Sequence, residues 1–156
     1  MARVKLIGVL VGTAVLATVA LGAGAASGDV GIHIMWPTDS LKVEIFDAEH
    51  DGLTMGDRLT ARGPLYDAAN PGTKVGTAYM DCVIAKNFAG GHGLFNCTYL
   101  LGLNGGDITL QGIDPPGDSV VPFAVTGGDG AFRTARGDAV FTDTSAGTEM
   151  EITLAD

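Results

Sequence analysis

Apolar and polar residues alternate along most of the chain after residue 40. The last of these segments reads TEMEITL (148–154), in which methionine, isoleucine and leucine alternate with polar residues. A period of two residues places the apolar side chains on one face of a β-strand. Turn residues separate the segments, and none of them has the period of a long amphipathic helix. Eight strands are therefore predicted, at 41–45, 56–66, 75–86, 93–103, 107–111, 120–125, 139–144 and 148–154.

This succession of short strands predicts one all-β domain over residues 41–156. Eight strands at regular spacing are typical of a β-sandwich or a closed antiparallel barrel, and closure leaves no exposed sheet edge. The length of the chain suits a single domain. We interpret residues 27–40 as a loose N-terminal lead segment into the first strand.

The first 26 residues have the composition of a secretory signal peptide. Arg3 and Lys5 precede an apolar run over residues 6–21, and the small residues at 23–25 (AGA) offer a cleavage site after Ala25 or Ala26. A retained membrane anchor is the alternative, because the apolar run is just long enough to span a bilayer. The helix-weakening glycines and the alanine-rich exit favour cleavage. We therefore expect a secreted, extracellular protein that meets the membrane only transiently, through this leader.

Acidic residues outnumber basic ones by two to one. The chain has 18 Asp and Glu against 9 Lys and Arg, a formal net charge of −9. Loss of Arg3 and Lys5 with the leader would change this charge to −11. Such a surface repels the phosphates of nucleic acids and anionic lipid headgroups. The composition therefore argues against nucleic acid as a partner.

Two cysteines in an oxidising compartment favour one disulfide. Cys82 and Cys97 lie in the two predicted strands that flank residues 87–92, a glycine-rich hairpin loop. A symmetric hairpin centred between Ala89 and Gly90 places Cys82 directly opposite Cys97, within disulfide reach. The sequence thus predicts a Cys82–Cys97 disulfide, which a register slip of two residues would prevent.

The sequence lacks the residue spacing of a metal site, a cofactor site or a hydrolase active site. The histidines, His33, His50 and His92, are scattered without the spacing of metal ligands. The glycine-rich run at 127–130 (GGDG) lacks the following Lys-Ser/Thr of a phosphate loop, and no serine lies in a nucleophile elbow. We therefore predict no metal, no cofactor and no hydrolase activity.

The densest local signal is the segment 125–138 (VTGGDGAFRTARGD). An apolar run ends there in three glycines within four residues, which mark a tight corner because glycine reaches positive φ without a steric penalty. We expect one short helical turn near 131–135. Phe132 is the predicted apolar plug of the open end of a sheet or barrel, and Arg136-Gly137 begin the next strand.

This segment resembles the motif GGTGxFxxARG of the dirigent proteins and the related VTGGxGxFxxAxG of plant allene oxide cyclases. The block 106–112 (GDITLQG) is similar to the block that precedes the final motif in both families. Weaker matches near 56–66 and 75–84 extend the resemblance over residues 41–154. It implies an eight-stranded antiparallel β-barrel with a ligand cavity, which often assembles as a homotrimer. Both families bind small hydrophobic molecules and steer how these cyclise or couple.

The chain also departs from these families at positions that matter for activity. Cys82 falls where the cyclases have a cavity cysteine, but here Cys97 is a potential disulfide partner. Gly63 replaces an asparagine of the cyclases. Arg136 matches the arginine of the dirigent motif and has two possible roles. It either binds a ligand oxygen in the cavity, or it braces the corner through an ion pair with Asp129 or Asp138.

Two functions follow from these observations. The first is a cofactor-free secreted barrel that binds a phenolic or unsaturated molecule and guides its cyclisation, isomerisation or stereoselective coupling. The second is a secreted barrel without chemistry, which carries a ligand or has a purely structural role. For the first function, the predicted polar contributors are Arg136, Tyr99 and Asp57, and the predicted lining residues are Met80, Phe95 and Leu101.

Overall fold

The computed structural model describes residues 30–47, 53–87 and 93–155. These residues form nine β-strands and two 3-10 turns, at Thr38–Ser40 and Gly130–Phe132. The strands are β1 (Val30–Pro37), β2 (Lys42–Phe46), β3 (Arg58–Asp67), β4 (Lys74–Asn87), β5 (Gly93–Leu103), β6 (Gly106–Asp114), β7 (Val120–Gly128), β8 (Gly137–Asp143) and β9 (Gly147–Leu154). In the described ranges no helix is long and apolar enough to span a membrane. The predicted signal peptide at residues 1–26 lies outside them.

All nine strands belong to one antiparallel sheet that closes on itself. Neighbouring strands pair in the order β1-β9-β8-β7-β6-β5-β4-β3-β2. β1 also pairs with β3, at Ile34 with Asp67 and at Met35 with Tyr66. Eight strands, β1 and β3 to β9, therefore form a closed barrel, and β2 is an additional strand along the first half of β3. The predicted eight-stranded antiparallel barrel is confirmed.

The N-terminal lead segment contains a strand that the sequence did not predict. We expected residues 27–40 to be loose, but Val30–Pro37 forms β1 and pairs with β9 along its whole length. Ile34 and Trp36 are 3% and 4% exposed, so this strand supplies part of the core. Its pairing partner lies at the other end of the chain, and a local pattern does not reveal such a partner. The strand predicted at 41–45 is the additional strand β2, whose residues are all exposed.

Alternation along each barrel strand fills the interior. On β7, Val121, Phe123 and Val125 are buried, whereas Val120 and Ala124 face outward. The same alternation on the other strands places large apolar side chains inside the barrel, where burial of their surface stabilises the fold. The largest fully buried apolar side chains are Leu65, Leu101, Ile108, Leu110, Met150 and Ile152.

The barrel has two different ends. We call the end where β6 and β8 finish the mouth end, and the end where β7 finishes and β8 begins the corner end. At the corner end the predicted helical turn is a 3-10 turn of three residues, Gly130–Phe132. Phe132 is partly buried and packs against the core, as expected of a plug. Gly130 has a φ of +52°, and a Cβ there would collide with the backbone oxygen of Gly105.

The predicted disulfide is confirmed. Cys82 of β4 and Cys97 of β5 are directly paired residues, and their sulfur atoms are 2.02 Å apart. Both residues are buried, so the bond lies within the barrel core. The loop that joins these strands was predicted at 87–92, and its residues 88–92 lie outside the described ranges. The disulfide ties together the two strands that enter and leave this loop.

Candidate functional site

A cavity of about 260 Å³ lies inside the barrel toward the mouth end. Its position follows from strand direction, because Asp114 ends β6, Asp143 ends β8 and Ser119 precedes β7. The aliphatic part of its wall consists of Leu41, Val43, Leu59, Ala61, Val121, Met80 and Met150. Val43 belongs to β2, so the additional strand forms one side of the mouth. Apolar walls with a few polar groups are the usual composition of a small-molecule site.

Four aromatic side chains form another part of the wall, and Tyr99 is at their centre. Its ring lies 4.8 Å from that of Phe141, 5.1 Å from that of Phe123 and 6.3 Å from that of Trp36, between centroids. All three contacts are edge-to-face, an arrangement that aromatic pairs favour. The cluster gives the cavity a rigid aromatic wall suited to a flat, apolar molecule.

Tyr99 contributes a phenol hydroxyl group to this wall. Tyr99 is 5% exposed and lines the cavity. Burial raises its pKa well above the ordinary value, and the negative charges of Asp114 and Asp143 raise it further. Tyr99 therefore stays protonated at physiological pH and retains an O–H group for a ligand oxygen or nitrogen.

Two carboxyl groups line the same cavity, those of Asp114 and Asp143. Thr148 donates a hydrogen bond from Oγ1 to Oδ1 of Asp143 at 2.8 Å. The backbone N–H of Asp143 donates to the oxygen of Ser119, also at 2.8 Å. Burial raises the pKa of Asp114, and Asp143 and Asp118 raise it further by repulsion of its negative charge. Proximity of the two carboxyl groups thus makes the ionised form of Asp114 less favourable.

Trp36 occupies the space that a side chain at position 63 would take. Gly63 is a buried residue of β3, and a Cβ built there would lie 2.5 Å from Nε1 of Trp36. The indole nitrogen is buried and has no hydrogen-bond partner among the described residues. In this chain an indole therefore fills the position that the allene oxide cyclase resemblance assigns to an asparagine side chain.

The structure brings two of the predicted site residues together. Tyr99 and Met80 are directly paired on β5 and β4, and both line the cavity. Phe95 and Leu101 lie on the same face of β5 as Tyr99 but outside the cavity wall. Leu101 is fully buried in the core, and Phe95 is partly buried near the mouth end. Their predicted contact with a ligand stays a prediction.

The other two predicted polar contributors lie outside the cavity wall. Asp57 is 3% exposed, and its Oδ2 accepts hydrogen bonds from the backbone N–H and the hydroxyl of Thr54, at 2.7 and 3.2 Å. Its own backbone oxygen accepts from the N–H of Ile84 at 2.9 Å. This geometry connects the segment before β3 to β4. Asp57 thus has a structural function in the described molecule, and its catalytic role stays a prediction.

Arg136 lies at the corner end, far along the barrel from the mouth. It is exposed, and its guanidinium donates a hydrogen bond to the backbone oxygen of Ala135 at 2.6 Å. Asp129 instead accepts a hydrogen bond from the backbone N–H of Asp107 at 2.7 Å. Neither Asp129 nor Asp138 forms an ion pair with Arg136 within the described residues. The ion pair that was expected to brace the corner is therefore not formed among the described residues, and the ligand contact of Arg136 stays a prediction.

Asp114, Asp143 and Trp36 are cavity residues that the sequence patterns did not indicate. Asp114 begins the stretch DPPG, whose prolines and glycine are typical of a turn between strands, and Trp36 lies in the expected lead segment. Asp143 ends a strand in the position of a solvent-exposed residue. The sequence does show an aspartate at the last position of each of two strands, β6 and β8. These two positions indicate a common site only once closure of the barrel brings the strand ends together.

No group of three or more His, Cys, Asp and Glu residues suited to a metal ion is present in the described ranges. His50 and His92 lie outside these ranges.

Comparison with known proteins identifies the fold. No family model and no curated protein matches the chain. A pyocyanin demethylase structure aligns with a TM-score of 0.66 at 19% identity, over 81% of this chain and all of that one. A nonspecific heme-binding cyclase that catalyses a [4+2] cycloaddition in neoabyssomicin biosynthesis aligns at 0.63 and 15%, over 83% and 65% of the two chains. A pterocarpan synthase dirigent protein aligns at 0.58 and 19%, over 81% and 93%. The chain thus has the barrel fold of dirigent proteins and [4+2] cyclases.

Proposed function

We propose that this protein binds a small, flat, hydrophobic molecule in the barrel cavity and guides its cyclisation, isomerisation or stereoselective coupling. The observation that carries this proposal is the cavity itself, about 260 Å³ with four aromatic rings in its wall. That volume is close to the lower limit of small-molecule pockets, roughly 300 Å³, and suits a ligand of one or two rings. Proteins that share the fold include a [4+2] cyclase and a pterocarpan synthase dirigent protein.

Guidance of this kind needs a rigid shape more than reactive side chains. A wall of packed rings restricts a flexible or bifunctional molecule to one conformation, and such preorganisation lowers the entropic part of the barrier. The O–H of Tyr99 then orients one polar atom of the ligand by donating a hydrogen bond to it. We propose Tyr99 as the main polar contributor and Met80 as a lining residue, and we propose that no cofactor takes part.

The experiment is a calorimetric titration of 2-naphthol, a neutral two-ring phenol, into the protein. We compare the wild type with Ala61→Phe, which adds a ring inside the cavity, and with Ala124→Phe, which adds the same ring on the outer face of β7. We expect binding to the wild type and to Ala124→Phe, and at least about a tenfold loss of affinity in Ala61→Phe. Equal binding to all three proteins, or none to the wild type, would overturn the proposal.

Trp36 allows the site of binding to be located. It is the single tryptophan of the chain and lines the cavity, so one indole N–H resonance reports on this site. We expect 2-naphthol to shift that resonance in the wild type and in Ala124→Phe. An unshifted indole resonance at saturating ligand would place the binding elsewhere.

A non-catalytic carrier is the second candidate. The wall of the cavity is mainly apolar, and among the described residues no lysine, arginine or histidine lines it. This composition supports passive binding as well as guidance. The two functions are distinguished by incubation of the protein with an oxidatively generated phenoxyl radical or a reactive diene. A change in product ratio or handedness supports guidance, and an unchanged product distribution with retained binding supports a carrier.

We also propose secretion and a homotrimer. Several outward apolar side chains lie on adjoining strands: Tyr79 of β4 is directly paired with Leu100 of β5, and Val83 of β4 and Ile113 of β6 lie on either side of Asn96. Exposed apolar groups of this kind are typical of protein interfaces. Sedimentation of the exported protein should give three copies, and its mass should lack the first 25 or 26 residues. A monomer, or a chain that retains the leader, would contradict these proposals.

A further inference from the structure

The electrostatic character of the cavity restricts the class of ligand. The carboxyl groups of Asp114 and Asp143 line it, and Asp118 lies close enough to act on Asp114. Asp143 and Asp118, the neighbouring charges that raise the pKa of Asp114, are both carboxyl groups. Among the described residues, no basic side chain lines the cavity. The mouth end therefore concentrates negative charge above an aromatic wall.

We propose that the ligand of this cavity is an aromatic cation, such as an N-alkylated heteroaromatic ring. This inference rests on the proposed function, since it names the class of molecule that the same cavity takes. The aromatic rings of Tyr99, Phe123, Phe141 and Trp36 and the carboxyl groups of Asp114 and Asp143 are its recognition elements.

The aromatic wall attracts a cation through the negative faces of its rings. A cation within about 6 Å of a ring centroid gains roughly 0.5–2 kcal/mol, with the larger gain in a desolvated site. The cavity offers four such rings around a volume that holds one small ligand. A flat cation also buries the same apolar surface as its neutral isostere. The aromatic contribution therefore adds to hydrophobic burial.

The carboxyl groups add a second, independent reason. A partly buried carboxylate that is surrounded by other carboxylates lacks a compensating positive charge. A cationic ligand supplies that charge and relieves the repulsion among Asp114, Asp118 and Asp143. An anionic ligand would increase the same repulsion, and a neutral ligand would leave it unchanged. The formal net charge of −9 also favours the approach of cations over anions.

The test compares three two-ring probes of similar size by calorimetry at pH 7.5. The probes are N-methylquinolinium, a permanent cation; quinoline, which is neutral at this pH; and 2-naphthoate, an anion. We expect N-methylquinolinium to bind at least about tenfold more tightly than quinoline. We expect no measurable binding of 2-naphthoate.

Variants of single carboxyl groups show whether this preference comes from the cavity. Asp114→Asn and Asp143→Asn each remove one cavity charge, and Asp138→Asn removes one exposed charge at the corner end. We expect each cavity variant to reduce the preference for the cation about fivefold or more, and Asp138→Asn to leave it unchanged. Should one cavity variant fail to fold, the other provides the same test.

The outcomes separate this inference from the proposed function. Binding of 2-naphthol and quinoline without a preference for N-methylquinolinium would overturn the cationic ligand and leave the proposed function intact. A preference that persists in Asp114→Asn and Asp143→Asn, or in Ala61→Phe, would show that the cation binds on the surface and would also overturn the inference. Failure of every probe to bind the wild type would overturn both.

Discussion

At the scale of single residues, the site combines a neutral phenol with a carboxyl group whose environment opposes its ordinary charge. Burial raises the pKa of Tyr99, which keeps this phenol in its ordinary neutral form. Asp114 is partly buried beside Asp143 and Asp118, and its raised pKa means that its ionised form is unfavourable. Natural binding sites often retain such unfavourable groups because they serve the ligand rather than the fold. Stability measurements can therefore identify these residues without any knowledge of the ligand.

Asp114 should make the protein less stable as the pH rises. A carboxyl group with a raised native pKa binds its proton more tightly in the folded state than in the unfolded state. Its contribution to stability is fully present below the ordinary pKa and is lost as the pH rises through the raised native pKa. We expect Asp114→Asn to increase Tm by a few degrees at neutral pH and by less near pH 4. Thermal unfolding at both pH values measures this difference.

Asp138→Asn is the control for Asp114→Asn. It removes the same charge from an exposed position at the corner end. We expect its effect on Tm to be small at both pH values. A lower Tm for Asp114→Asn than for the wild type at neutral pH would contradict the assignment of Asp114 as a destabilised carboxyl group.

Gly63 tests the packing of Trp36 against β3. A Cβ at position 63 would lie 2.5 Å from Nε1 of Trp36 and 2.9 Å from the backbone oxygen of Ser40. We expect Gly63→Ala to reduce the free energy of unfolding by about 1–3 kcal/mol, because the indole must move in a packed interior. Gly31→Ala in β1 is the matched control, since a Cβ there has nothing within 4 Å. Chemical denaturation with equal losses for both variants would contradict this packing.

At the scale of secondary structure, local alternation was sufficient to predict most barrel strands. The hairpin of β4 and β5 is the clearest case, because Cys82 and Cys97 lie directly opposite each other on the same face of the sheet and thereby set the register of the two strands. β1 was missed because its partners, β9 and β3, are distant in the chain. The site followed the same division. The alternation of inward and outward residues along β5 and β4 identified Tyr99 and Met80. Asp114 and Asp143 come together only through closure of the barrel.

The disulfide between β4 and β5 should contribute substantially to stability. It closes a loop with a sequence separation of 15. Loss of a cross-link of this length increases the entropy of the unfolded chain by an amount worth about 3 kcal/mol. We expect the double substitution Cys82→Ala/Cys97→Ala to lower the free energy of unfolding by roughly that amount, with the barrel still folded. Denaturation of the wild type with and without reductant provides an independent comparison.

An unchanged unfolding midpoint in the double variant would contradict this contribution. Two free thiols in the protein isolated from an oxidising medium would contradict the disulfide itself. The matched control is Cys82→Ala/Cys97→Ala treated with reductant, which should behave like the untreated variant.

At the scale of the whole molecule, the two ends of the barrel differ in structure and composition. The corner end is closed by the glycine-rich turn and Phe132 and carries the segment that resembles the dirigent and allene oxide cyclase motifs. The mouth end carries the cavity, the additional strand β2 and the carboxyl groups. The motif thus reports on how the barrel closes, whereas the proposed ligand site lies at the opposite end. This separation explains how a clear fold resemblance leaves the substrate undetermined.

The proposed function depends on a small molecule bound in the cavity. The most direct test is native mass spectrometry of the protein purified from its own culture medium, with the wild type compared with Ala61→Phe. We predict a bound small molecule in stoichiometric amount on the wild type, an aromatic compound when released and identified, and its loss from the folded Ala61→Phe protein. The same molecule retained by Ala61→Phe, or a wild type without ligand that also fails to bind any aromatic probe, would contradict the proposed function.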